Sequence, residues 1–306
     1  MPKLRFLLSV PNDSNDYQIE QVKSAHQAAS RFGVELEICC AHEDGILQSQ
    51  QLLSRIQSAS ENRPNVIIFE AAGSTTLPHV ARAAVGARIG WVVLSRDAEY
   101  LSELHSSAGI PAFGVCADHE EIGRIQGRQL TALLPRGGIV LAVQGPAHSK
   151  SASLRHSGLL ETKPENVQLR VVKGNWTELS AQKAVASWLD LSTSRAIDIV
   201  AVCAQDDSMA KGARQAFDQS AHELRQSWRE IPFLGCDGMP KTGQEWVRRG
   251  LLAATVLNPP TAPVAIELAA RFLQNGTVPP LRTLTEARSI PDIETLIRKA
   301  RAAAAK

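Results

Sequence analysis

The sequence predicts an α/β protein of two similar doubly wound parallel-sheet lobes joined by a hinge, and three observations predict it. Short apolar or β-branched runs alternate with longer amphipathic segments nearly from end to end, the pattern of βαβ units and a parallel sheet. The chain has 306 residues, which suits two packed halves of roughly 130–150 residues. Its strand-like runs are too many for one comfortable sheet and divide evenly, about five before residue 117 and about five after it.

Taken in order, residues 4–9 are a first buried strand. The basic start before it precedes an apolar run too short for a secretory leader, and the run enters a turn with no small-residue cleavage site. Helical spacing over 15–31, 47–60 and 77–87 alternates with strands at 34–40, 65–69, 90–94 and 112–116. Beyond residue 117, helical spacing at 120–134, 180–189, 208–220 and 263–274 accompanies strands at 138–144, 167–173, 197–203, 232–236 and 252–257. Right-handed crossovers place helices on both faces of each sheet. The tail from 281 adds an extended piece and, after Pro291, a helix with an Ala-rich end, expected at the surface or frayed. No low-complexity linker occurs, so tight crossings join the lobes, a geometry that permits a hinge.

With 33 Lys+Arg against 31 Asp+Glu the net charge is +2, which points away from nucleic acid and anionic membranes and toward a small neutral partner. No apolar run approaches the ~18 residues of a membrane span, so no direct membrane insertion is expected. Five cysteines, Cys39, Cys40, Cys116, Cys203 and Cys236, lie in or beside β-like runs and read as buried reduced thiols. Cys39 and Cys40 fall on opposite faces of a strand, a poor disulfide pair. Zinc-type spacing is not seen, and no metal or cofactor is expected. As the sequence stands, the thiols and the missing leader favour the cytoplasm; a trimmed leader would make the protein periplasmic.

In open α/β sheets ligands sit beyond the carboxyl ends of strands, where loop donors and helix N-termini converge. Those positions are polar here: Ser9 with Asn12–Tyr17, Glu70 with Gly73-Ser74-Thr75, Ser95-Arg96-Asp97, Asp118-His119, Gln144-Gly145, Asn175-Trp176, Gln205-Asp206-Asp207, Asp237-Gly238 and Asn258. Such a ring of acceptors and donors suits a polyhydroxylated ligand.

Several ordered motifs carry a resemblance that covers nearly the whole chain. Ala204-Gln205-Asp206-Asp207-Ser208-Met209-Ala210-Lys211-Gly212-Ala213 and Gly235-Cys236-Asp237-Gly238-Met239-Pro240 resemble A-Q-N-D-x-M-A-x-G-A and G-x-D-G-x-P. Gly250-Leu251-Leu252-Ala253-Ala254-Thr255 resembles G-x-L-A-A-T, and Val143-Gln144-Gly145 followed by Arg155-His156-Ser157-Gly158 resembles Q-G then R-x-x-G. These are motifs of the type I periplasmic sugar-binding proteins, the group of ribose-binding protein, and of the ligand-binding cores of lactose-repressor-like regulators.

The resemblance implies lobes of 1–117 with about 259–281 and 118–258 with about 282–306, a ligand cleft between them, and binding by hinge closure without catalysis. It implies ligand contacts from Asp206, Asp237, Asn258 and Arg96, with Ser9 and Asn15 near the first strand end and Tyr17 and Trp176 covering a sugar ring. C–H faces of a sugar pack on aromatic rings while carboxylates and Arg take hydroxyls. A buried carboxylate needs donors, which hydroxyls or Arg96 would give Asp206 and Asp237. The implied role is the substrate-binding component of an ABC-type sugar uptake system, monomeric and partnered by an ABC permease. The alternative is a ligand-sensing component of a signalling or transcriptional system, partnered by a sensor protein and without a DNA-binding domain of its own.

Departures narrow the ligand. Ser153 stands where relatives commonly carry a sugar-binding Arg, and Cys236 where an aromatic often precedes Asp-Gly. The first loop is about two residues longer than in ribose-binding relatives and has Gln18 in place of a second aromatic. These point away from ribose and leave another sugar, a polyol or a furanone-like signal open.

Competing readings of single residues are plainer. Asp206-Asp207 could be a catalytic pair, but neighbours on a strand-to-helix turn point apart; Asp207 is assigned to capping or hinge contacts and Asp206 to ligand. Cys236 lacks the cationic neighbour a nucleophile needs and reads as packed. His42, His79, His105, His148, His156 and His222 show no metal spacing, and His119 reads as a surface or capping group. Trp91 is assigned to the core, Trp188, Trp228 and Trp246 to helix packing. Gly123-x-x-x-Gly127 and Gly137-Gly138 make no dinucleotide fingerprint, and no P-loop occurs.

Overall fold

Alternating side chains decide the first sheet. In β1 (Arg5–Val10), Phe6, Leu8 and Val10 face one way and Leu7 and Ser9 the other, and all five are buried, so both faces must be covered. The structure, a computed structural model, describes residues 3–73, 75–106, 109–194, 197–220 and 230–304. It divides into two compact units, Met1–Ala117 with Pro259–Thr285 and Asp118–Asn258 with Glu286–Lys306.

In the first unit β1 is followed by α1 (Asp16–Phe32), β2 (Glu35–Cys40), α2 (Gly45–Gln57), β3 (Val66–Glu70), α3 (Pro78–Gly86), β4 (Gly90–Leu94), α4 (Leu101–His105) and β5 (Ala112–Ala117). The sheet is parallel, ordered β11-β5-β4-β3-β1-β2, with β11 being Arg282–Thr285. One face packs Ala25, Ala28 and Ala29 of α1 and Ile266, Ala269 and Ala270 of a returning helix. The other packs Leu52 and Ile56 of α2 with Val80, Ala81 and Ala84 of α3. Trp91 is fully buried there, its ring centroid 4.6 Å from that of Phe69 in a tilted pair, its Nε1 donating to Tyr100. Cys40 packs on the first face and Cys39 on the second.

The second unit opens with α5 (His119–Leu133) and continues through β6 (Gly138–Gln144), α6 (Lys150–Thr162), β7 (Val167–Lys173), α7 (Glu178–Leu189), β8 (Ile199–Ala204), α8 (Asp207–Gln219), β9 (Phe233–Leu234), α9 (Gly243–Arg248) and β10 (Thr255–Leu257). The chain then supplies α10 (Ala262–Asn275) and β11 to the first unit before β12 (Arg288–Ile290) and α11 (Ile293–Ala304) complete the second. Its main sheet is parallel, ordered β7-β6-β8-β9, and β10 pairs antiparallel with β12. No helix among the described residues is long and apolar enough to cross a membrane.

Two features of the tail differ from the sequence reading. The piece at 282–285 pairs with β5, so the first unit runs to Thr285, where the boundary was expected at about 281. The last helix is not merely a surface element: Leu296 is buried, and Ile293 and Ile297 pack with it on the core that contains Leu130 of α5. Their i, i+3, i+4 spacing is one apolar stripe. Trp188 and Trp246 do pack on the core, whereas Trp228, His222 and Ser74 lie outside the described residues.

Candidate functional site

Both main sheets reverse strand order beside their first strand, as β2-β1-β3 and as β7-β6-β8. Connections leave in opposite directions there, so a crevice opens beyond the carboxyl ends of β1/β3 and of β6/β8.

In the second unit β8 runs directly through Gln205 and Asp206 into α8. The Gln205 side chain is internal bracing: Oε1 accepts from the Gly145 N–H at 2.9 Å and Nε2 donates to the Ala152 carbonyl at 2.8 Å, tying the end of β6 to α6. Asp206, still extended, caps α8 by accepting from the Met209 N–H at 2.5 Å. Of the two roles open to Asp207, capping or hinge contacts, capping falls to Asp206, because Asp207 is already helical and reaches sideways. Its Oδ1 accepts from the Thr255 hydroxyl at 2.6 Å and its Oδ2 from the Gly238 N–H at 2.8 Å. Asp207 therefore ties the Gly238 turn and β10 to the helix.

Asp237 sits in that turn at φ 94°, a conformation rare for a side-chain-bearing residue. Its Oδ1 lies 3.4 Å from Nη2 of Arg155 and accepts from Nδ2 of Asn258 at 3.3 Å. The buried Arg155 also donates to the Gln205 carbonyl and lies 3.4 Å, through Nε, from Nδ1 of His119. Its guanidinium is 5.7 Å from the ring centroid of Trp176, within cation–π range. Trp176, at φ 58°, lies against Gly145, where any Cβ would stand 2.2 Å from the indole; glycine is required there. Oδ1 of Asn258 and Nε2 of Gln144 are buried with no hydrogen-bond partner.

Asp237 thus pairs with the Arg155 guanidinium and Asp206 lies within reach of its charge, while Asp207 is held by Thr255 and Gly238. Burial first, and the Asp237 charge second, push Asp206 up to about 7, against the Met209 N–H and Arg155, which favour its ionised form. Burial and then Asp237 hold Asp207 well above the usual carboxylate range. A protonated carboxyl donates as well as accepts, so the cluster offers both kinds of partner to hydroxyl groups. Cys236 is fully buried, and burial raises its thiol well above the ordinary value, which fits packing rather than nucleophilic work.

In the first unit the corresponding strand ends are bound up internally. Ser9 is fully buried and accepts from Nε2 of Gln48 at 3.0 Å; the same Nε2 donates to the Glu70 carbonyl, and Gln48 Oε1 accepts from the Ala72 N–H. Glu70, at the end of β3, accepts from Gln18 and Gln21, both at 2.9 Å. Burial raises its carboxyl, against hydrogen bonds from Gln18, Ser95 and Gln21 and the charge of Arg96. Asn15 caps α1 through the Gln18 N–H, and Arg96 donates to the Gly73 carbonyl at 2.6 Å. Tyr17, half-buried, stands in the first turn of α1.

The second unit therefore brings Trp176, Asp206, Asp237 and Asn258 together around Arg155; the first places Ser9, Asn15, Tyr17 and Arg96 at its strand ends. Arg155 was absent from the predicted set. Its motif R-H-S-G was visible, but a helical Arg reads as solvated unless the helix is known to bury that face. The partner foreseen for Asp237 was a hydroxyl or Arg96, and within the second unit that role falls to Arg155.

Residues 6–277 match the periplasmic binding protein domain family. The ribose import binding protein RbsB of Salmonella typhimurium is 23% identical over 280 residues, covering 91% of this chain and 88% of the relative. An ABC transporter periplasmic solute-binding protein from Actinobacillus succinogenes with bound D-allose superposes with a TM-score of 0.78 at 20% identity, over 97% of this chain and all of that one (100%). The fructose-binding periplasmic domain of a hybrid two-component system gives a TM-score of 0.76 at 21% identity, over 98% and 95%. With two parallel sheets wound in the same order and a family match across most of its length, the chain belongs to the periplasmic binding protein domain family.

Proposed function

We propose that the protein binds a small polyhydroxylated ligand, a monosaccharide or related polyol, by hinge closure and leaves it chemically unchanged, as the substrate-binding component of an ABC-type sugar uptake system. The observation that carries this reading is the set of buried polar groups at the β6/β8 strand ends, where Asn258 Oδ1 has no protein partner and Arg155 pairs with Asp237 and bears on the buried Asp206. Asp206, Asp237, Asn258 and Trp176 are the contacts assigned to the second unit; Asn15, Tyr17 and Arg96 are those assigned to the first, with Ser9 supporting them through Gln48. The sugar-binding names of the relatives agree with the chemistry.

A second reading, the ligand-sensing module of a signalling system, is favoured by one finding: a structure of the same fold is the fructose-binding part of a two-component protein. In either role the residues contacting the ligand are the same.

A thermal-shift and calorimetric panel of ribose, allose, fructose, galactose, arabinose and myo-inositol tests the binding reading. A ligand at 100 times its dissociation constant adds about 2.7 kcal/mol of stability. The expected result is a shift of several degrees that Asp237→Ala abolishes, with X-ray scattering showing a smaller radius of gyration when ligand is bound. A folded protein indifferent to the whole panel would overturn the assignment to sugars and polyols. Stimulation of a permease ATPase rather than a kinase by the loaded form separates transport from sensing.

A further inference from the structure

We propose that the first unit carries a binding site for a borderline transition-metal ion of the zinc class, formed by Asp13, Cys40 and His42. Their ligand atoms, a carboxylate oxygen, Sγ and a ring nitrogen, all lie within 4.8 Å of one another. Cys40 Sγ is 3.5 Å from His42 Nδ1. Two ligands held at 2.0–2.3 Å from one tetrahedral ion stand roughly 3.5 Å apart, so the sulfur–nitrogen pair is already at chelating separation. The carboxylate needs a shift on the order of 1 Å, which an exposed side chain such as Asp13 can supply.

The backbone that presents these groups is fixed. The loops after β1 and β2 are joined by hydrogen bonds from Ala41 N to the Val10 carbonyl and from Glu43 N to the Pro11 carbonyl. Asn12 holds the first loop by accepting from the N–H groups of Ser14 and Asn15, and its Nδ2 donates to Glu43. In the second loop His42 and Glu43 both take positive φ, 49° and 63°, which turns the imidazole back over Cys40. An ion held by all three would clasp the loop leading to Asn15 and Tyr17 onto the end of β2.

The donor set selects the ion. Thiolate with imidazole and one carboxylate favours zinc, cobalt or a similar metal over magnesium or calcium, which take all-oxygen sets. Three protein ligands leave a fourth position for water. Binding through Cys40 displaces the thiol proton to solvent, one per ion. Spacing missed the site because Cys40-x-His42 is only a pair; the third ligand arrives from the preceding loop.

Cobalt(II) titration of the reduced, full-length protein tests the proposal. One equivalent should produce a near-ultraviolet thiolate-to-cobalt charge-transfer band with visible bands of tetrahedral intensity, and zinc should erase both. Cys40→Ser should remove the charge-transfer band. His42→Asn, which keeps a residue tolerant of positive φ, and Asp13→Asn should each weaken binding more than about tenfold, a loss that even outer-shell changes can cause. Circular dichroism confirms that each variant is folded, and the exposed His42 and Asp13 keep the test valid if Cys40→Ser is not. Absence of the band in the parent protein, or an unchanged band in Cys40→Ser or in both His42→Asn and Asp13→Asn, would overturn the proposal.

Discussion

A single methyl group at Gly123 should damage both stability and the polar cluster. Helices α5 and α6 touch through glycine: a Cβ on Gly123 would stand 2.0 Å from the Arg155 carbonyl oxygen, and one on Gly158 2.0 Å from that of Glu120. Nonbonded atoms sit at roughly 3.5 Å, so the shortfall is about 1.5 Å. Both obstacles are backbone, and no rotamer change relieves them. The helices must separate, and overpacking of this kind costs about 1–3 kcal/mol, reduced by the ~1 kcal/mol gained from alanine over glycine within a helix. The separation also spoils packing along the rest of the contact, so we expect Gly123→Ala to lose about 2 kcal/mol and several degrees of melting temperature. Because the clash falls on Arg155 itself, ligand-induced stabilisation should fall with it. Urea unfolding followed by circular dichroism, beside Gly86→Ala, makes the comparison. A Cβ at Gly86, the last residue of α3, meets nothing within 4 Å, so that variant should be neutral or slightly stabilised. If Gly123→Ala and Gly86→Ala unfold at the same urea concentration as the parent, the close helix contact and the placement of Arg155 derived from it are both wrong.

Asp206 should titrate near pH 7 in carboxyl-carbon NMR, and Asp237→Asn should move the midpoint down by removing a like charge. Since its folded pKa lies above the unfolded value of 3.8, its contribution is full below pH 3.8 and is lost as pH rises to about 7, on the order of 4 kcal/mol at most; denaturation midpoints independent of Asp206 across that window would contradict this. Arg155→Met should cost about 2–3 kcal/mol by stripping a charged donor from Asp237 and the Gln205 carbonyl, and Arg155→Met with Asp237→Asn should recover part of it in chemical denaturation. With a thiol reagent, Cys39 and Cys40 should react in the native protein, and the buried Cys116, Cys203 and Cys236 only on unfolding. Fast native reaction of a third thiol would contradict the burial.

Much of this was legible in advance because parallel strands buried on both faces announce themselves as apolar runs. The strands at 138–144, 167–173 and 90–94 fall where the runs predicted them. Helix α6 did not announce itself. Its contact face is Ala152, Arg155, Gly158 and Leu159, with too little apolar area for a helical period, and its partner face on α5 is again glycine. The same economy hid Arg155, since a charged residue is buried where Gly123, Gly127 and Gly158 let the helices close. Gly123-x-x-x-Gly127 was weighed as a nucleotide fingerprint and set aside; its use is this helix contact. The order Asp206-Asp207 was legible but the division of labour was not, because which carboxylate caps depends on the residue at which the backbone turns helical.

The two strand-end clusters differ in how much they leave unfinished, and that difference predicts where selectivity lies. In the first unit Gln18, Gln21 and Gln48 already donate to Glu70 or Ser9, and Gln18 Oε1 is the buried atom of that cluster left without a partner. In the second, Asn258 Oδ1 and Gln144 Nε2 are buried without partners, and Asp206 and Asp207 are pushed toward their protonated forms by burial and by the Asp237 charge. Each unsatisfied buried group costs about 1–3 kcal/mol, a penalty that a hydroxyl reaching it would remove. Under the proposed function, deoxy analogues of the best ligand should therefore fall into two classes. Loss of a hydroxyl that meets the second-unit cluster should weaken binding by roughly 1–3 kcal/mol, about five- to a hundredfold. Loss of one that meets the first unit elsewhere than at Gln18 Oε1 should cost less. Isothermal titration of the complete deoxy series on the parent and on Asn258→Ala distinguishes the classes, because the sensitive analogue should lose most of its deficit in the variant. A uniform loss across the series, unchanged by Asn258→Ala, would mean that the unfinished hydrogen bonds of the second unit do not read the ligand.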